Sequence, residues 1–351
     1  MSHSHDALGD LGERKILTDV LQPRYRDTVG FGDDCAVLGT PGSGGELVAT
    51  TDTCPTPLLS LLGHRDMFDT GWLLATINLS DLAAAGAVPF GLVTNYTLPR
   101  STPVAEFERM LDGVDACAAA HGTNVVGGDL RDGETTQLSA TAIGQCAPGR
   151  RLGRSGAAAG DRLLLVGSPG YLWAAALVAG HQATLPAADA AVVLDRARRP
   201  MAQLAAGRLL AESGLAHAAM DVSDGLFATV RTLCETNAVG ARMVTDVRLD
   251  PVLASVCDQS GVSRFDLAAT WGDWCLLVAV GAADVTAVTA KLATESIPAR
   301  VVGTLFDGEG IALDGGGPWH GVAQERFSPR SWHGADLDRW MADLLGAASL
   351  A

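Results

Sequence analysis

Residues 30–38 read Gly30-Phe31-Gly32-Asp33-Asp34-Cys35-Ala36-Val37-Leu38, so two adjacent carboxylates follow a Gly-x-Gly turn and precede an apolar run. Glycine permits a tight turn and a close approach of the backbone to a ligand. Paired aspartates offer hard oxygen ligands, which suit Mg²⁺ better than zinc or copper. Alone, the pair is weak evidence for a metal site, since aspartates in a turn more often belong to a solvated loop.

Similar carboxylates recur along the chain, and this recurrence makes the first pair informative. Each lies at a predicted strand end, in a glycine-rich turn or near a helix start; the further members are Asp52, Asp81, Asp129, Asp221 and Asp224. We hypothesise that these side chains meet around Mg²⁺ and a nucleoside triphosphate.

Composition limits the class of protein. A chain of 351 residues exceeds one ordinary core and predicts two domains, and 48% apolar with 19% charged residues is typical of a globular protein. The formal net charge of -15 argues against nucleic-acid binding, which needs a basic stripe. An acidic protein binds a polyphosphate only if cations bridge the two, so a nucleotide site here implies Mg²⁺.

Cysteine usage and hydropathy bear on the compartment. None of the seven cysteines forms a C-x-x-C pair, which argues against zinc and thioredoxin-type sites. The odd number, with no recognisable signal peptide, leads us to expect a reducing cytoplasm. No uncharged apolar run of about 18 residues occurs, so we expect no membrane span.

Apolar periodicity predicts the elements of the first half. A strand over 46–52 ends in Thr50, Thr51 and Asp52, which either are ordinary strand residues or join a metal or phosphate shell. The strand over 135–145 is expected to form a hairpin with the strand before it. The remaining predictions are helices over 11–22 (ended by Pro23), 66–85 and 103–121, and strands over 90–98 and 124–129.

Within the helix over 66–85, Asn78 and Asp81 fall on adjacent turns of one face. Polar side chains on a largely apolar helix are costly to bury without partners. A ligand-facing Asp81 is therefore favoured over a surface position.

Residues 149–161 are rich in glycine and arginine and show no periodicity, so we place the domain boundary between 148 and 149. Arg154 is a candidate phosphate contact, although linkers commonly carry such charge. The second half predicts strands over 162–167 and 273–280, an edge strand over 300–303, and helices over 171–179, 201–212, 282–293 and 335–347.

The segment Asp221-Val222-Ser223-Asp224-Gly225 lies between a predicted strand and a predicted helix. Ser223 or Asp224 could simply cap the helix. Alternatively, the helix N-terminus attracts an anion, and the two aspartates hold the cation that accompanies it.

Missing motifs exclude several classes of phosphotransferase. The chain has no Gly-x-x-x-x-Gly-Lys-Ser/Thr loop, no H-R-D catalytic loop and no D-F-G segment. It is therefore neither a P-loop kinase nor a protein kinase.

Five motifs, in this order, resemble those of the thiamine-monophosphate kinase family in the PurM-like (AIR synthase-related) superfamily. Arg154-Ser155-Gly156 further resembles the interdomain segment of that family, and the matches span about residues 30–303. Together the ordered motifs are specific for the superfamily and less so for one substrate. They are Gly30-Phe31-Gly32-Asp33-Asp34, Thr50-Thr51-Asp52, Asn78-Leu79-Ser80-Asp81-Leu82-Ala83, Gly127-Gly128-Asp129 and Asp221-Val222-Ser223-Asp224-Gly225.

The resemblance implies an α/β (α+β) PurM-like fold with domains at 1–148 and 149–351. The N-terminal domain would contribute strands to a barrel shared across a homodimer, and ATP would bind near that interface with several Mg²⁺ ions. In-line phosphoryl transfer to a small-molecule acceptor would follow. The implied metal ligands are Asp33, Asp81, Asp129, Asp221 and Asp224, and the implied nucleotide contacts are Asp34, Thr50, Thr51, Asp52, Gly128 and Arg154.

The chain departs from the family pattern on the acceptor side. Thr270-Trp271-Gly272-Asp273-Trp274-Cys275-Leu276 replaces Ser/Gly-Gly-Glu-Asp-Tyr-Glu-Leu, and residues 53–57 replace Val-Glu-Gly-x-His-Phe. Trp271, Asp273 and Trp274 are therefore candidate acceptor contacts, although core packing explains a tryptophan pair about equally well.

Three functions remain open from the sequence. The first is an ATP- and Mg²⁺-dependent phosphotransferase acting on thiamine monophosphate. The second is an AIR-synthase-like enzyme that phosphorylates an amide or carboxyl oxygen. The third is a nucleotide-binding relative without turnover. No side chain is identified as a general base.

Overall fold

The computed structural model describes residues 33–39 and 44–321, together with the short pieces 13–15, 18–19 and 22–25. The predicted helix over 335–347 and half of that over 11–22 lie outside these residues. Where the latter was expected to end, Pro23 instead lies within a helical turn.

The described helices are distributed along both halves of the chain. They are α1 (Glu13–Lys15), α2 (Gln22–Tyr25), α3 (Leu58–Leu61), α4 (Met67–Ala84), α5 (Val104–Ala120), α6 (Tyr171–Ala179), α7 (Ala187–Arg198), α8 (Leu204–Ser213), α9 (Leu226–Asn237), α10 (Pro251–Ser260), α11 (Arg264–Ala268) and α12 (Val285–Ala293). No described helix is both long and apolar enough to span a bilayer.

The first sheet has the strand order β1-β2-β5-β3-β4. Only β3 and β4 pair in parallel, since α5 connects them as a crossover. The strands are β1 (Ala36–Gly39), β2 (Glu46–Thr53), β3 (Val88–Leu98), β4 (Val125–Asp132) and β5 (Gln137–Cys146).

The predicted hairpin between β4 and β5 is wrong. Strand β5 pairs with β2 and β3, because every second residue of β5 is buried and needs a central position. Strand β4 is exposed along nearly its whole length and therefore lies at the edge. The sequence order of the two strands is thus a poor guide to their pairing.

The second sheet has the strand order β11-β8-β10-β6-β9-β7. The predicted edge strand over 300–303 is wrong, because the nine residues of β10 pair with β8 on one side and β6 on the other. The strands are β6 (Arg162–Val166), β7 (Ala216–Asp221), β8 (Val239–Met243), β9 (Leu276–Val280), β10 (Ala299–Asp307) and β11 (Ile311–Leu313).

Helix α4 lies between the two sheets and positions the site. Asp66 caps its N-terminus by accepting a hydrogen bond from the Phe68 amide, and Arg109 holds both Asp66 oxygens at 2.6 Å. Apolar side chains of α4 share one core with side chains of both sheets, among them Leu164 of β6 and Val278 of β9. The confirmed helix over 66–85 therefore joins the two halves, while the domain boundary at 148/149 stays a prediction.

Helices α4 and α8 approach each other at Gly207. A Cβ at this position would overlap the backbone carbonyl of Ala83, which cannot move without breaking the packing of α4. Only glycine fits there.

We predict that Gly207→Ala lowers the free energy of unfolding by at least roughly 2 kcal/mol, because overpacking against backbone outweighs the better helix propensity of alanine. Urea unfolding followed by circular dichroism measures the change. Gly315→Ala is the matched control, since its Cβ meets no atom within 4 Å. Equal unfolding midpoints for the two variants would contradict the close contact of α4 and α8.

Candidate functional site

Three carboxylates from distant parts of the chain meet between the sheets. Asp34 precedes β1, Asp81 lies near the end of α4, and Asp221 is the last residue of β7. One oxygen from each lies within 4.8 Å of the others. The sequence hypothesis of converging aspartates is thus observed for these three.

Neighbouring hydroxyls fix the orientation of two of these carboxylates. Thr50 of β2 donates a hydrogen bond of 2.5 Å to Asp81. Asp221 accepts hydrogen bonds from Ser80 at 2.8 Å and from Ser223 at 3.0 Å. Ser80 is fully buried beside Asp81 on α4. This turn of the helix therefore contacts β2 through Asp81 and β7 through Ser80.

Arginines of the segment 149–161 hold the acidic loop in place. Arg154 donates a 2.6 Å hydrogen bond to Asp34, and its backbone amide donates one of 2.9 Å to Asp33. Arg151 adds a charged donor to Asp33 at 2.8 Å. At Gly153, a Cβ would come within 3.0 Å of the Asp33 carboxylate, so a side chain would crowd this contact. Asp33 therefore fastens the segment to the loop and lies beside the three converging carboxylates.

The three carboxylates carry more negative charge than the nearby arginine can balance. Burial, followed by repulsion from neighbouring aspartates, raises the pKa of Asp81 well above its usual range. Burial and the Asp34 charge raise the pKa of Asp221 to about 7. Burial also raises the pKa of Asp34, although the Arg154 charge opposes this. The carboxylates therefore take up protons readily to balance their negative charge. A divalent cation would balance the same charge in place of these protons.

The donor set fits Mg²⁺. Three carboxylates in one cluster, with Asp221 buried and Asp34 and Asp81 half-buried, provide hard oxygen ligands of the type this ion binds, and no sulfur or imidazole is among them. Hydrogen bonds from Thr50, Ser80 and Ser223 supply the outer contacts that orient metal-binding carboxylates.

A cavity of about 1010 Å³ adjoins the cluster. Most of the site residues predicted from the sequence line it. They are Asp33, Asp34, Asp52, Asp81, Arg154, Asp221, Asp224, Trp271 and Trp274.

Other predicted site residues lie elsewhere. Thr50 contacts the cluster through Asp81, whereas Thr51 of the same strand donates to the Ala140 carbonyl across the sheet. Gly128 and Asp129 lie on the exposed edge strand β4, where Asp129 pairs with Arg131 at 3.4 Å. This chain does not bring those two residues to the described cavity.

Asp273 is buried against the N-terminus of α6. Its carboxylate accepts hydrogen bonds from the amides of Gly170 and Leu172 at 2.6 and 3.1 Å. Burial raises its pKa to about 6, and these hydrogen bonds act in the opposite direction. It lines a separate cavity of about 210 Å³. Asp273 therefore holds the N-terminus of α6 in position.

Sequence reasoning missed several residues of the site. Arg151 and Ser80 were not predicted to be site residues, although Ser80 lies within one of the quoted motifs and Arg151 lies in the segment 149–161. The proposed cap of α9 also differs, because Gly225 occupies the cap position and Ser223 bonds to Asp221. The signal that could have identified Arg151 and Ser80 is their position close to the acidic motifs in the sequence.

Profiles of two domains match the chain. The AIR synthase related protein N-terminal domain matches residues 32–146, and the C-terminal domain matches residues 158–316. Thiamine-monophosphate kinase of Synechococcus elongatus is 34% identical over 248 residues, covering 68% of this chain and 73% of that protein. The enzyme of the same name from Mycobacterium tuberculosis H37Rv is 28% identical over 326 residues, covering 90% and 91%.

Solved structures resemble the whole described fold. A thiamine-monophosphate kinase from Stenotrophomonas maltophilia K279a has a TM-score of 0.69 at 30% identity and covers 87% of this chain and 98% of its own. The structure described as AaThiL complexed with AMPPCP and TMP has a TM-score of 0.78 at 23% identity and covers 92% and 99%. The predicted two-domain α+β fold is thereby confirmed.

We predict that Asp221→Asn stabilises the metal-free protein more at pH 8 than at pH 5. The folded-state pKa of about 7 lies above the ordinary value of 3.8, so stability from this group is lost as pH rises between these values. The gain of the variant should therefore grow through this window, by an amount on the order of a few kcal/mol. Thermal unfolding in a chelator measures it.

Adding Mg²⁺ should raise the unfolding temperature of the parent protein more at pH 8 than at pH 6, and should affect Asp221→Asn little. The exposed helical residue Asp112 provides the control variant Asp112→Asn. If the parent and Asp221→Asn responded alike to Mg²⁺ at both pH values, Asp221 would not be a ligand.

Proposed function

Because this chain belongs to the AIR synthase related protein family, within its thiamine-monophosphate kinase branch, we propose that it transfers the terminal phosphoryl group of ATP to thiamine monophosphate. The products are thiamine diphosphate and ADP, and Mg²⁺ is required. The observation that carries this proposal is the convergence of Asp34, Asp81 and Asp221 on one buried point beside a large cavity. Phosphoryl transfer needs a site of this kind, where carboxylates can hold metal ions next to the substrates, because its catalysis consists mainly of positioning and charge neutralisation.

Asp34, Asp81 and Asp221 are the residues that would hold Mg²⁺. When bound, the ion neutralises phosphate charge and aligns the transferred group with its acceptor. Thr50, through its bond to Asp81, keeps one carboxylate turned into the cluster.

Arg154 is placed to contact a phosphate. One of its Nη atoms is held by Asp34, which orients the guanidinium, while its Nε is buried and has no hydrogen-bond partner within the described part of the chain. A phosphate oxygen would satisfy this donor. Arg154 lines the same cavity as the carboxylates, so it can serve the nucleotide that the metal holds.

The cavity supports two ligands at once. Its volume of about 1010 Å³ is at the upper end of the roughly 300–1,000 Å³ that ligand sites usually span. Direct transfer requires a nucleotide and an acceptor in the same enclosure, and this volume accommodates both.

We expect the purified protein to convert thiamine monophosphate and ATP to thiamine diphosphate and ADP, with no inorganic phosphate released. Asp81→Asn should lower kcat by at least about a hundredfold, because losing a metal ligand removes several kcal/mol of charge stabilisation. Chromatographic separation of the thiamine phosphates measures the product, and Asp112→Asn is the matched control.

Two results would count against this function. Acceptor-dependent release of inorganic phosphate would favour the AIR-synthase-like reaction on an amide or carboxyl oxygen. Nucleotide binding with no turnover of thiamine monophosphate at any enzyme concentration would favour a non-catalytic relative.

We also propose that the protein is a homodimer joined through the first sheet. Among the described strands, β4 lies at an edge of the first sheet, and Phe90, Val93, Val126 and Leu130 on β3 and β4 are exposed apolar side chains. Exposed strand edges and apolar patches favour association. A partner covering β4 would also bring Asp129 into an interface.

The double variant Val126→Asp/Leu130→Asp should shift the protein from dimer to monomer, because each subunit would bury two charges in the dimer interface. Light scattering coupled to gel filtration measures the mass. Val104→Asp, on the exposed start of α5, is the control with a similar loss of apolar surface. A parent protein that is already monomeric would contradict the proposed dimer.

A further inference from the structure

The connection between α11 and β9 (residues 269–275) holds the turn that follows Asp221. The Cys275 carbonyl accepts a 2.8 Å hydrogen bond from the amide of Val222, the residue directly after Asp221. The Ala269 carbonyl accepts one of 3.0 Å from the amide of the first residue of α9. The turn between Asp221 and α9 is therefore attached to this connection at both ends.

These attachments bear on the direction of the Asp221 carboxylate. Asp221 stands opposite Leu276, the first residue of β9, where β7 and β9 pair. Ser223, which donates a hydrogen bond to the Asp221 carboxylate, lies within the attached turn. Because hydrogen-bonded neighbours orient metal-binding carboxylates, a shift of the Cys275 carbonyl would change how Asp221 faces the cluster.

Trp274, the residue before Cys275, has a left-handed backbone conformation. Its φ is +50°, in a region that side chains other than glycine, asparagine and aspartate rarely adopt. Its indole Nε1 is buried and has no hydrogen-bond partner among the described residues. Trp274 therefore combines two unfavourable features, which persist only where the surrounding structure enforces them.

The residues before Trp274 are fixed to α6. Asp273 accepts hydrogen bonds from two amides at the start of that helix. Gly272 has a φ of +99°, and a Cβ there would overlap the Leu172 side chain of α6. The chain is thus fixed on one side of Trp274 to α6 and on the other side to the turn after Asp221. The left-handed residue makes both attachments possible.

We propose that the left-handed backbone of Trp274, enforced by Asp273, positions Asp221 for binding a divalent cation. Trp274 and Asp273 are positioning residues, since they act on the ion through Asp221. The inference rests on the proposed Mg²⁺ site and deepens it, because it assigns the orientation of one ligand to a strained residue outside the cluster.

A contact between the indole ring and a ligand is the competing explanation, because Trp274 also lines the large cavity. Two substitutions separate the ring from the backbone. Trp274→Gly removes the ring and adopts a positive φ without strain. Trp274→Val also removes the ring, but its branched Cβ strongly disfavours that conformation.

The test measures the dissociation constant of Mn²⁺ for the full-length protein at pH 8, from the electron paramagnetic resonance signal of the free ion. Mn²⁺ prefers the same oxygen ligands as Mg²⁺. Trp274→Val should weaken binding at least about tenfold, as expected when the support of a metal ligand is lost. Trp274→Gly should stay within about threefold of the parent protein, since its backbone keeps the conformation.

Ala238 provides the matched control, because it is a second residue with a left-handed backbone. Its φ is +53°, and it is exposed at the C-terminal end of α9. Asp221 precedes the opposite end of this helix, about 18 Å away. Ala238→Val should lower the unfolding temperature and leave Mn²⁺ binding unchanged. Weaker binding in this variant would mean that backbone strain anywhere lowers the affinity, which contradicts the inference.

Equal Mn²⁺ affinities of Trp274→Val and Trp274→Gly would refute the positioning role. If both variants bound as the parent does, the conformation would serve stability alone, and if both bound weakly, the ring would be required. Asp273→Asn replaces Trp274→Val if the latter does not fold. It loses one acceptor for the α6 amides and should weaken Mn²⁺ binding at least about threefold; unchanged binding would contradict the inference.

The parent protein separates this inference from the proposed function. If it binds no Mn²⁺, the metal site and the positioning role both fall. If it binds Mn²⁺ but does not phosphorylate thiamine monophosphate, only the kinase proposal falls, and the comparison of Trp274→Val with Trp274→Gly still decides the positioning role.

Discussion

The arrangement of this protein depends on mutual repulsion among three carboxylates that meet between the two sheets. Asp34, Asp81 and Asp221 reach one point from three distant segments, and one arginine cannot neutralise all of them. A fold tolerates such a cluster only if other interactions hold it together and if a cation or protons balance the charge. The instability of the empty cluster is what gives it affinity for a divalent ion.

The packing of helix α4 holds the cluster together. It packs between the first sheet and β7 and shares a core with both sheets, so the position of Asp81 is fixed by contacts far from the site. The close approach of α8 at Gly207 fixes the helix from another side.

Much of this site is accessible from the sequence because its chemistry is local to short motifs. Asp34, Asp81 and Asp221 each lie where an element begins or ends, and their type and setting indicate a shared cation. Helix α4 is predicted almost to its ends, since its periodicity is sustained and Asp66 provides a clear cap. These features depend on neighbours within a few residues.

The errors concern information that is not local. The positions of β5 and β10 within their sheets depend on pairing with strands that are distant in the sequence, and the residue pattern of neither strand reveals these neighbours. The burial of Asp273 against α6 arises from a contact across about a hundred residues, which its acidic motif does not indicate. Such relations become visible only once the chain is folded.

The central claim is that these distant acids bind the metal that carries the nucleotide. A crystal structure of the protein with Mn²⁺ and a non-hydrolysable ATP analogue tests it most directly, because anomalous scattering locates the ions without assumptions about their ligands. The account predicts at least one ion bound by oxygens of Asp34, Asp81 and Asp221 and bridged to phosphate oxygens. Ions and phosphates bound elsewhere, with these three side chains uncoordinated, would contradict it.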